Sequence, residues 1–210
     1  MLKIYKEPTY ENDDMLIEIS NFTISDSEFD TIINSDSYIK LKVDKFKNKD
    51  VSFNGFEKFI EDRPSLRSVN PETKLVGSIY TYSILDRNGT SYEDALADVK
   101  QIINENTKSR KAVIRIANPI YEYKTSELNG RPDVSCLNLI HYYDGGVKLI
   151  FRASDIKNEL FTDLITIYWF FIKPIFNKCN IKIYASTVQN INGIIDFENK
   201  INNMEYNEKK

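Results

Sequence analysis

Residues 131–163, RPDVSCLNLIHYYDGGVKLIFRASDIKNELFTD, form the stretch on which the interpretation of this chain depends. Its β-branched and aromatic runs predict two strands, and the Asp-Gly-Gly sequence at residues 144–146 predicts the tight turn between them. Cys136 opens the first strand, whereas Arg152 and Asp155 follow the second and precede a predicted helix. The stretch therefore places a candidate nucleophile, a guanidinium group and a carboxylate on one hairpin.

Length and composition predict a single globular domain spanning residues 1–210. Hydrophobic residues make up 41% of the chain and charged residues 28%, which is typical of a folded protein. The formal net charge of −3 argues against a broad nucleic-acid interface, although a local basic site for a small anion is compatible with it. We therefore expect small-molecule partners and no nucleic acid.

The cysteines and the histidine limit the chemistry. Two cysteines, Cys136 and Cys179, are too few for a disulfide scaffold, and the first residues lack the apolar run of a signal peptide. We therefore expect a reduced, cytoplasmic protein. The single histidine, His141, lies within a predicted strand and is interpreted as structural. One histidine and two cysteines at these spacings predict no metal site.

The most apolar segment, residues 160–176 (LFTDLITIYWFFIKPIF), predicts a long buried helix at the centre of the domain. It contains Asp163, Lys173 and Pro174 and falls short of the roughly 20 apolar residues that a membrane span requires. Pro174 is expected to end or kink the helix. We therefore predict no membrane association.

Other patterns along the chain predict an α+β fold. Alternating or β-branched residues predict five further strands, at residues 15–19, 38–43, 74–85, 112–116 and 181–186. Helical spacing predicts a short helix at residues 53–62 and an amphipathic helix at residues 91–106. The polar residues 199–210 predict a frayed tail.

Three short motifs occur in a fixed order around the hairpin: Ser109-Arg110-Lys111 before a strand, Cys136-Leu137, and Phe151-Arg152-Ala153-Ser154-Asp155. With these motifs, residues 74–197 resemble the thymidylate synthase superfamily, specifically its nucleotide hydroxymethylase branch. Residues 1–73 match that superfamily poorly. The resemblance implies a thymidylate synthase-like mixed sheet packed with a long central apolar helix.

The resemblance implies that the chain acts on a pyrimidine nucleoside monophosphate, with methylenetetrahydrofolate as the one-carbon donor. Cys136 would add to ring carbon six, so that carbon five can attack the one-carbon unit. Arg152 would bind the phosphate and favour the thiolate. Arg110 and Lys111 would reach the phosphate across a homodimer interface. From the residues alone, Cys136 is also compatible with a buried strand cysteine.

Asp163 carries the inference about the base. Synthases that act on uracil have an asparagine at the matching place, and cytosine presents the reverse arrangement of donor and acceptor. A carboxylic acid, or a carboxylate facing a protonated ring nitrogen, fits cytosine and does not fit uracil, so Asp163 indicates a cytidylate. From the residues alone, an aspartate in the first turn of a helix is also favoured by the helix dipole.

The remaining substrate contacts implied by the resemblance are Ala153, Ser154, Asp155 and Gln189. Ala153 replaces a serine of the synthases that touches the phosphate, and Gln189 replaces a histidine that holds the sugar hydroxyl. Sugar recognition must then differ from that of the synthases. The loss of a hydroxyl beside the phosphate and sugar, and lysine rather than a second arginine at Lys111, resemble members of the family that accept the ribonucleotide, which favours CMP over dCMP.

The family's catalytic glutamate and its phosphate-binding arginine loop fall in the poorly matched part. Glu57 and Glu61 are the candidates for the glutamate by position, although both are also compatible with a solvated helix face. Arg63, Arg67 or Arg131 would substitute for the arginine loop.

The resemblance thus implies a cytidylate 5-hydroxymethylase in which water captures the exocyclic methylene group. Two alternatives remain open. One is an unusual thymidylate synthase that acts on dUMP. The other is a non-catalytic nucleotide-binding homologue. The short chain and the replaced sugar-binding residues are the reasons for considering it.

Overall fold

Eight strands and four helices make up the computed structural model, which describes residues 1–36, 39–40, 43, 92–106, 108–116 and 136–207. The strands are β1 (Leu2–Lys6), β2 (Met15–Phe22), β3 (Val113–Arg115), β4 (Leu137–Tyr143), β5 (Gly146–Phe151), β6 (Ser154–Asp155), β7 (Cys179–Ala185) and β8 (Val188–Gln189). The helices are α1 (Asp26–Ser35), α2 (Tyr92–Glu105), α3 (Phe161–Ile167) and α4 (Ile194–Asn207). The predicted elements at residues 53–62 and 74–85 lie outside the described residues.

The main sheet has six strands in the order β1-β2-β7-β5-β4-β3. β5 and β7 run parallel, and every other neighbouring pair in this sheet is antiparallel. β6 and β8 form a separate parallel pair just beyond the ends of β5 and β7. The predicted mixture of helices and strands is therefore confirmed, and the main sheet is mixed.

Side-chain alternation gives the sheet one buried face. In β2, Met15, Ile17 and Ile19 are fully buried, whereas Leu16 and Glu18 between them are half-buried. This period of two is the pattern that predicted the strand. Helical segments follow β5 and carry the chain back to the end of the sheet where β5 begins. This return is required for β7 to run parallel to β5.

The strand predicted at residues 38–43 is wrong where the structure describes it, because Ile39, Lys40 and Val43 are helical. Asp36 explains the difference: its Oδ1 accepts the backbone N–H of Ile39 at 3.1 Å, and its carbonyl accepts that of Lys40 at 3.0 Å. An aspartate in this position caps the start of a helix. Ile39 and Val43, four residues apart, are both buried, as helical spacing allows.

The long helix predicted at residues 160–176 is not shown as a single α-helix. Three shorter helical pieces follow one another: a π-helical turn at Ile156–Leu160, α3, and a second π-helical turn at Tyr168–Ile172. In the second turn the backbone N–H of Lys173 donates to the carbonyl of Tyr168, five residues earlier, at 2.8 Å. Side-chain hydroxyls anchor this region, since those of Tyr142 and Tyr168 donate to the carbonyls of Phe171 and Asn177.

The buried character expected of this region is present. Every residue from 162 to 168 is buried, and the last helical turn ends two residues before Pro174. Proline cannot continue a helix without losing a backbone hydrogen bond.

α1 is fixed against this region by one aromatic contact. The rings of Phe29 and Trp169 stack with centroids 3.6 Å apart and planes inclined by 1°. The ammonium of Lys173 lies 3.6 Å from the centroid of Trp169 and forms an ion pair with Asp26. α1 is therefore joined to the helical region by stacking, a cation–π contact and a charge pair.

The polar residues expected to fray continue α4 as far as Asn207. Phe197 and Ile201, four residues apart, are buried against the core, and Met204 packs beside them. One apolar face among polar residues is sufficient to hold a helix on a core. The expectation of a frayed tail is therefore wrong for residues 199–207.

Gly193 allows the start of α4 to pack closely on the chain after β6. A Cβ atom at this position would lie 2.4 Å from the Cα of Lys157 and 2.7 Å from its backbone nitrogen. Because backbone atoms cannot turn aside, we expect Gly193→Ala to lower the free energy of unfolding by about 1–3 kcal/mol. Denaturant unfolding measures this change. The neighbouring exposed Asn192→Ala serves as the control, and equal unfolding midpoints for the two variants would contradict the expectation.

Candidate functional site

The candidate site lies at the edge of the sheet where β5 and β7 end. Phe151, the last residue of β5, pairs with Ala185 at the end of β7, and with Leu137 at the start of β4. The carboxyl ends of parallel strands are the usual location of ligand sites in open sheets, because the loops diverge there. The residues just beyond these strand ends form what we call the edge cluster: Cys136, Arg152, Ser154, Asp155 and Thr187.

Cys136 and Arg152 lie opposite each other at the end of the β4–β5 hairpin. The backbone N–H of Arg152 donates to the carbonyl of Cys136 at 2.8 Å. Directly opposed residues in an antiparallel pair have Cβ atoms about 5 Å apart. Cys136 is half-buried and forms no disulfide bond, and Arg152 is exposed. The geometry thus brings together the expected nucleophile and the expected phosphate ligand.

Thr187 joins this pair to the end of β7. Its hydroxyl donates to the carbonyl of Arg152 at 3.1 Å, and its own carbonyl accepts the backbone N–H of Ser154 at 3.0 Å. Sequence reasoning did not select Thr187. Its contact spans 35 residues and follows from the parallel alignment of β5 and β7, for which the local sequence carries no signal.

Ser154 is 5% exposed, and its hydroxyl has no hydrogen-bond partner among the described residues. Buried hydroxyls without a partner are uncommon, so each requires an explanation. Ala153, beside it, is half-buried and offers no polar side-chain atom. Ser154 is consequently the unsatisfied polar side chain of the edge cluster.

The carboxylate of Asp155 forms hydrogen bonds with other residues of the chain. Its carboxylate accepts the backbone N–H and side-chain amide of Asn158 at 3.0 and 2.9 Å, and the side-chain amide of Asn190 at 2.8 Å. It therefore caps the helical turn that begins at Ile156. Gln189 is the strand partner of Asp155 in the β6–β8 pair and is exposed.

Asp163 lies in the first turn of α3 and is 2% exposed. Its neighbours Thr162 and Leu164 are also buried. Placing a carboxyl group this deeply is costly unless it has polar partners. Asp163 is thus a buried polar group on the helical region that follows the edge cluster.

Arg110 and Lys111 lie at the other end of the sheet. They precede β3, whose first residue, Val113, pairs with His141 near the turn of the hairpin. The length of β4 separates this end from Cys136, a distance of roughly 20 Å for a seven-residue strand. Both side chains are exposed. Within one chain, they are therefore not brought together with Cys136 and Arg152.

The candidate glutamates, Glu57 and Glu61, lie outside the described residues, and so do the candidate arginines Arg63, Arg67 and Arg131. The structure therefore places neither the expected glutamate nor the substitutes for the arginine loop.

The sequence matches no protein-family model and no curated protein. Function must therefore be argued from the edge cluster itself. Where residues are described, no three or more His, Cys, Asp or Glu side chains are grouped to hold a metal ion. In that same part of the chain, no helix is long and apolar enough to cross a membrane.

His141 lies in the middle of β4, away from the edge cluster. Its Nε2 is buried without a hydrogen-bond partner among the described residues. Burial lowers the pKa of His141, and the nearby Lys148 ammonium lowers it further, while a hydrogen bond with the backbone of Ser109 acts in the opposite direction. Together these effects favour the neutral imidazole over the charged one.

Cys136 and Cys179 are expected to differ in reactivity. Cys179 is 3% exposed, and burial raises the pKa of its thiol to about 12, so the thiol is almost entirely protonated near neutral pH. At pH 8.5 we expect iodoacetamide to label Cys136 at least ~10-fold faster than Cys179, since the thiolate is the reactive form. Peptide mass mapping over time measures both rates. Urea should equalise them, and equal rates in the folded protein would contradict the burial argument.

Proposed function

We propose that the protein is a folate-dependent 5-hydroxymethylase of cytidine monophosphate, with a thymidylate synthase-like fold. The observation that carries the proposal is the backbone hydrogen bond that sets Arg152 opposite Cys136 at the carboxyl ends of the parallel strands. A thiol beside a guanidinium group suits nucleophilic addition to the ring of a phosphorylated pyrimidine. The protein would work in the cytoplasm, where thiols stay reduced.

In this proposal each residue has one task. Cys136 adds through its thiolate to carbon six of the ring, and Arg152 binds the phosphate as a bidentate donor. Asp163, buried on the following helix, pairs with the acceptor nitrogen and the exocyclic amine of cytosine. Methylenetetrahydrofolate supplies the carbon that becomes the hydroxymethyl group. Ser154 suits a bound ligand, because its buried hydroxyl has no hydrogen-bond partner among the described residues.

A homodimer is part of the proposal. Arg110 and Lys111 lie far from Cys136 in one chain, but a two-fold related copy can bring one end of its sheet to the opposite end of the other. The sheet face that is not the core also suits a partner. Leu16, Tyr184, Ile150 and Leu139 are adjacent across four strands and are partly exposed, with Tyr184 at 36%.

A substrate panel tests the reaction. The protein is incubated with methylenetetrahydrofolate and CMP, dCMP, UMP or dUMP, and the nucleotides are analysed by mass spectrometry. We expect a hydroxymethyl product from CMP and less from dCMP. Methylation of dUMP with formation of dihydrofolate would indicate a thymidylate synthase. Nucleotide binding without any product would indicate a non-catalytic homologue.

Mixed dimers test the shared site. Each site would use Cys136 of one subunit and Arg110 of the other. A homodimer of either variant, Cys136→Ala or Arg110→Ala, therefore has no complete site. When the two variants are mixed and allowed to exchange subunits, one complete site forms in each mixed dimer, so about a quarter of wild-type activity should return. Failure to recover activity in a sample shown to contain mixed dimers would exclude the shared site.

A further inference from the structure

The hydrogen-bond ladder between β5 and β7 is interrupted at Arg152. Up to that point it is regular, and the backbone N–H of Ser186 donates to the carbonyl of Phe151 at 3.1 Å. Beyond it, the backbone N–H of Ser154 donates to the carbonyl of Thr187 at 3.0 Å, where the β6–β8 pair begins. Arg152 therefore lies at the junction between the two sheets.

At this junction the Arg152 carbonyl accepts a hydrogen bond from a side-chain hydroxyl and, among the described residues, not from a backbone N–H. The hydroxyl of Thr187 donates to the carbonyl of Arg152 at 3.1 Å, while the N–H of Arg152 donates to the carbonyl of Cys136 at 2.8 Å. Both backbone polar groups of Arg152 are thus engaged, one by the candidate nucleophile and one by Thr187.

We propose that Thr187 is a positioning residue that holds Arg152 beside Cys136. The inference rests on the proposed role of the Cys136–Arg152 pair and adds the group that sets its geometry. The Arg152 side chain extends from this peptide backbone, so fixing the backbone limits where the guanidinium can lie. Without the hydroxyl, the Arg152 carbonyl can turn to water, and the peptide unit between Arg152 and Ala153 is no longer fixed.

The position of Arg152 can be measured without any substrate. Iodoacetate carries a negative charge, whereas iodoacetamide is neutral and reacts with the same thiolate. A guanidinium group close to Cys136 attracts the anionic reagent, so the ratio of the iodoacetate rate to the iodoacetamide rate at Cys136 reports its proximity. The Arg152→Gln variant gives the value of this rate ratio when the guanidinium charge is absent.

Four variants are compared with the wild type. Thr187→Val keeps the shape and removes the hydroxyl, and Thr187→Ser keeps the hydroxyl. Thr23→Val is the matched control, because the Thr23 hydroxyl also donates to a backbone carbonyl, that of Asn177 at 3.0 Å, at the opposite end of the sheet. Arg152→Gln is the fourth.

We expect Thr187→Val to lower the rate ratio about threefold or more, toward the Arg152→Gln value, while Thr187→Ser and Thr23→Val stay within a factor of two of wild type. An unchanged ratio in Thr187→Val would overturn the inference. So would an unchanged ratio in Arg152→Gln, or an equal fall in Thr23→Val. If Thr187→Val does not fold, Thr187→Ala carries the same comparison.

The outcome is separate from that of the proposed reaction. If the substrate panel gives no product but the rate ratio falls as expected, the hydroxymethylase proposal fails and the role of Thr187 stands. If CMP is converted and Thr187→Val changes neither the rate ratio nor the KM for CMP, the reaction stands and the role of Thr187 is rejected.

Discussion

Replacing Asp163 with asparagine is expected to shift the preference of the protein from cytidine to uridine nucleotides. Cytosine presents an acceptor at ring nitrogen three and a donor at its exocyclic amine, and uracil presents the reverse. A carboxylate only accepts hydrogen bonds, so it accepts from the exocyclic amine of cytosine and from the ring nitrogen when that nitrogen is protonated, but it can offer no donor to the carbonyl oxygen of uracil. An amide donates to the uracil carbonyl and accepts from the ring N–H.

The expected change is large because the contact is buried. Asp163 is 2% exposed, so a mismatched donor or acceptor there cannot be rescued by water. We expect the kcat/KM ratio of UMP to CMP to rise by roughly 10³-fold. An amide can also rotate to suit cytosine, so most of the change should come from a gain with UMP. Competition between the two nucleotides in one reaction, read by mass spectrometry, measures the ratio.

Asp155→Asn is the matched control, because it is the same substitution eight residues earlier in the chain. Asp155 holds Asn158 and Asn190, so this variant should lose stability and keep its preference for cytidine. An unchanged base preference in Asp163→Asn would remove the basis for assigning a cytidylate. A shift of equal size in Asp155→Asn would show that the effect does not come from base pairing.

Replacing Cys136 with alanine is expected to abolish turnover while leaving CMP binding in place. Covalent addition to carbon six is the step that makes carbon five reactive, and no other group in the edge cluster is a thiol. We expect kcat to fall by about 10⁴-fold or more, as for other residues whose removal eliminates a covalent step. Release of tritium from carbon-five-labelled CMP measures the reaction, and calorimetry measures binding.

Cys179→Ala separates this effect from the loss of any cysteine. Cys179 is buried at the start of β7, so its replacement should lower stability by about 1 kcal/mol and leave most of the turnover. Turnover that survives Cys136→Ala would reject covalent catalysis by this residue. A wild-type protein that binds CMP, with or without the Cys136 thiol, and never turns it over would support the non-catalytic alternative.

The local parts of the fold could be predicted from the sequence. The hairpin follows from its turn, in which Gly145 has φ of +71°, a conformation that glycine adopts readily. Because a hairpin aligns its own strands, the meeting of Cys136 and Arg152 was also within reach of sequence reasoning. α2 agrees with its apolar periodicity within a residue or two.

The remaining features depend on contacts between distant parts of the chain. The alternating residues 38–43 resemble a strand, but the cap supplied by Asp36 favours a helix. Arg110 and Lys111 were expected at the phosphate, and the register of β3 on β4 places them at the opposite end of the sheet in their own chain. Thr187 contributes to the edge cluster only because β5 and β7 are parallel and adjacent.

The position of β2 has a consequence for how the protein folds. β2 lies inside the sheet between β1 and β7, and the amide of Asn21 bonds the side chain of Asn180, 159 residues later. The side of β2 that faces β7 therefore cannot form its backbone hydrogen bonds until β7 has been synthesised. Such long-range closure slows folding, and during synthesis it leaves an unpaired strand edge exposed until β7 has left the ribosome. We expect the nascent chain to depend most on chaperones after β2 has emerged and before β7 has emerged.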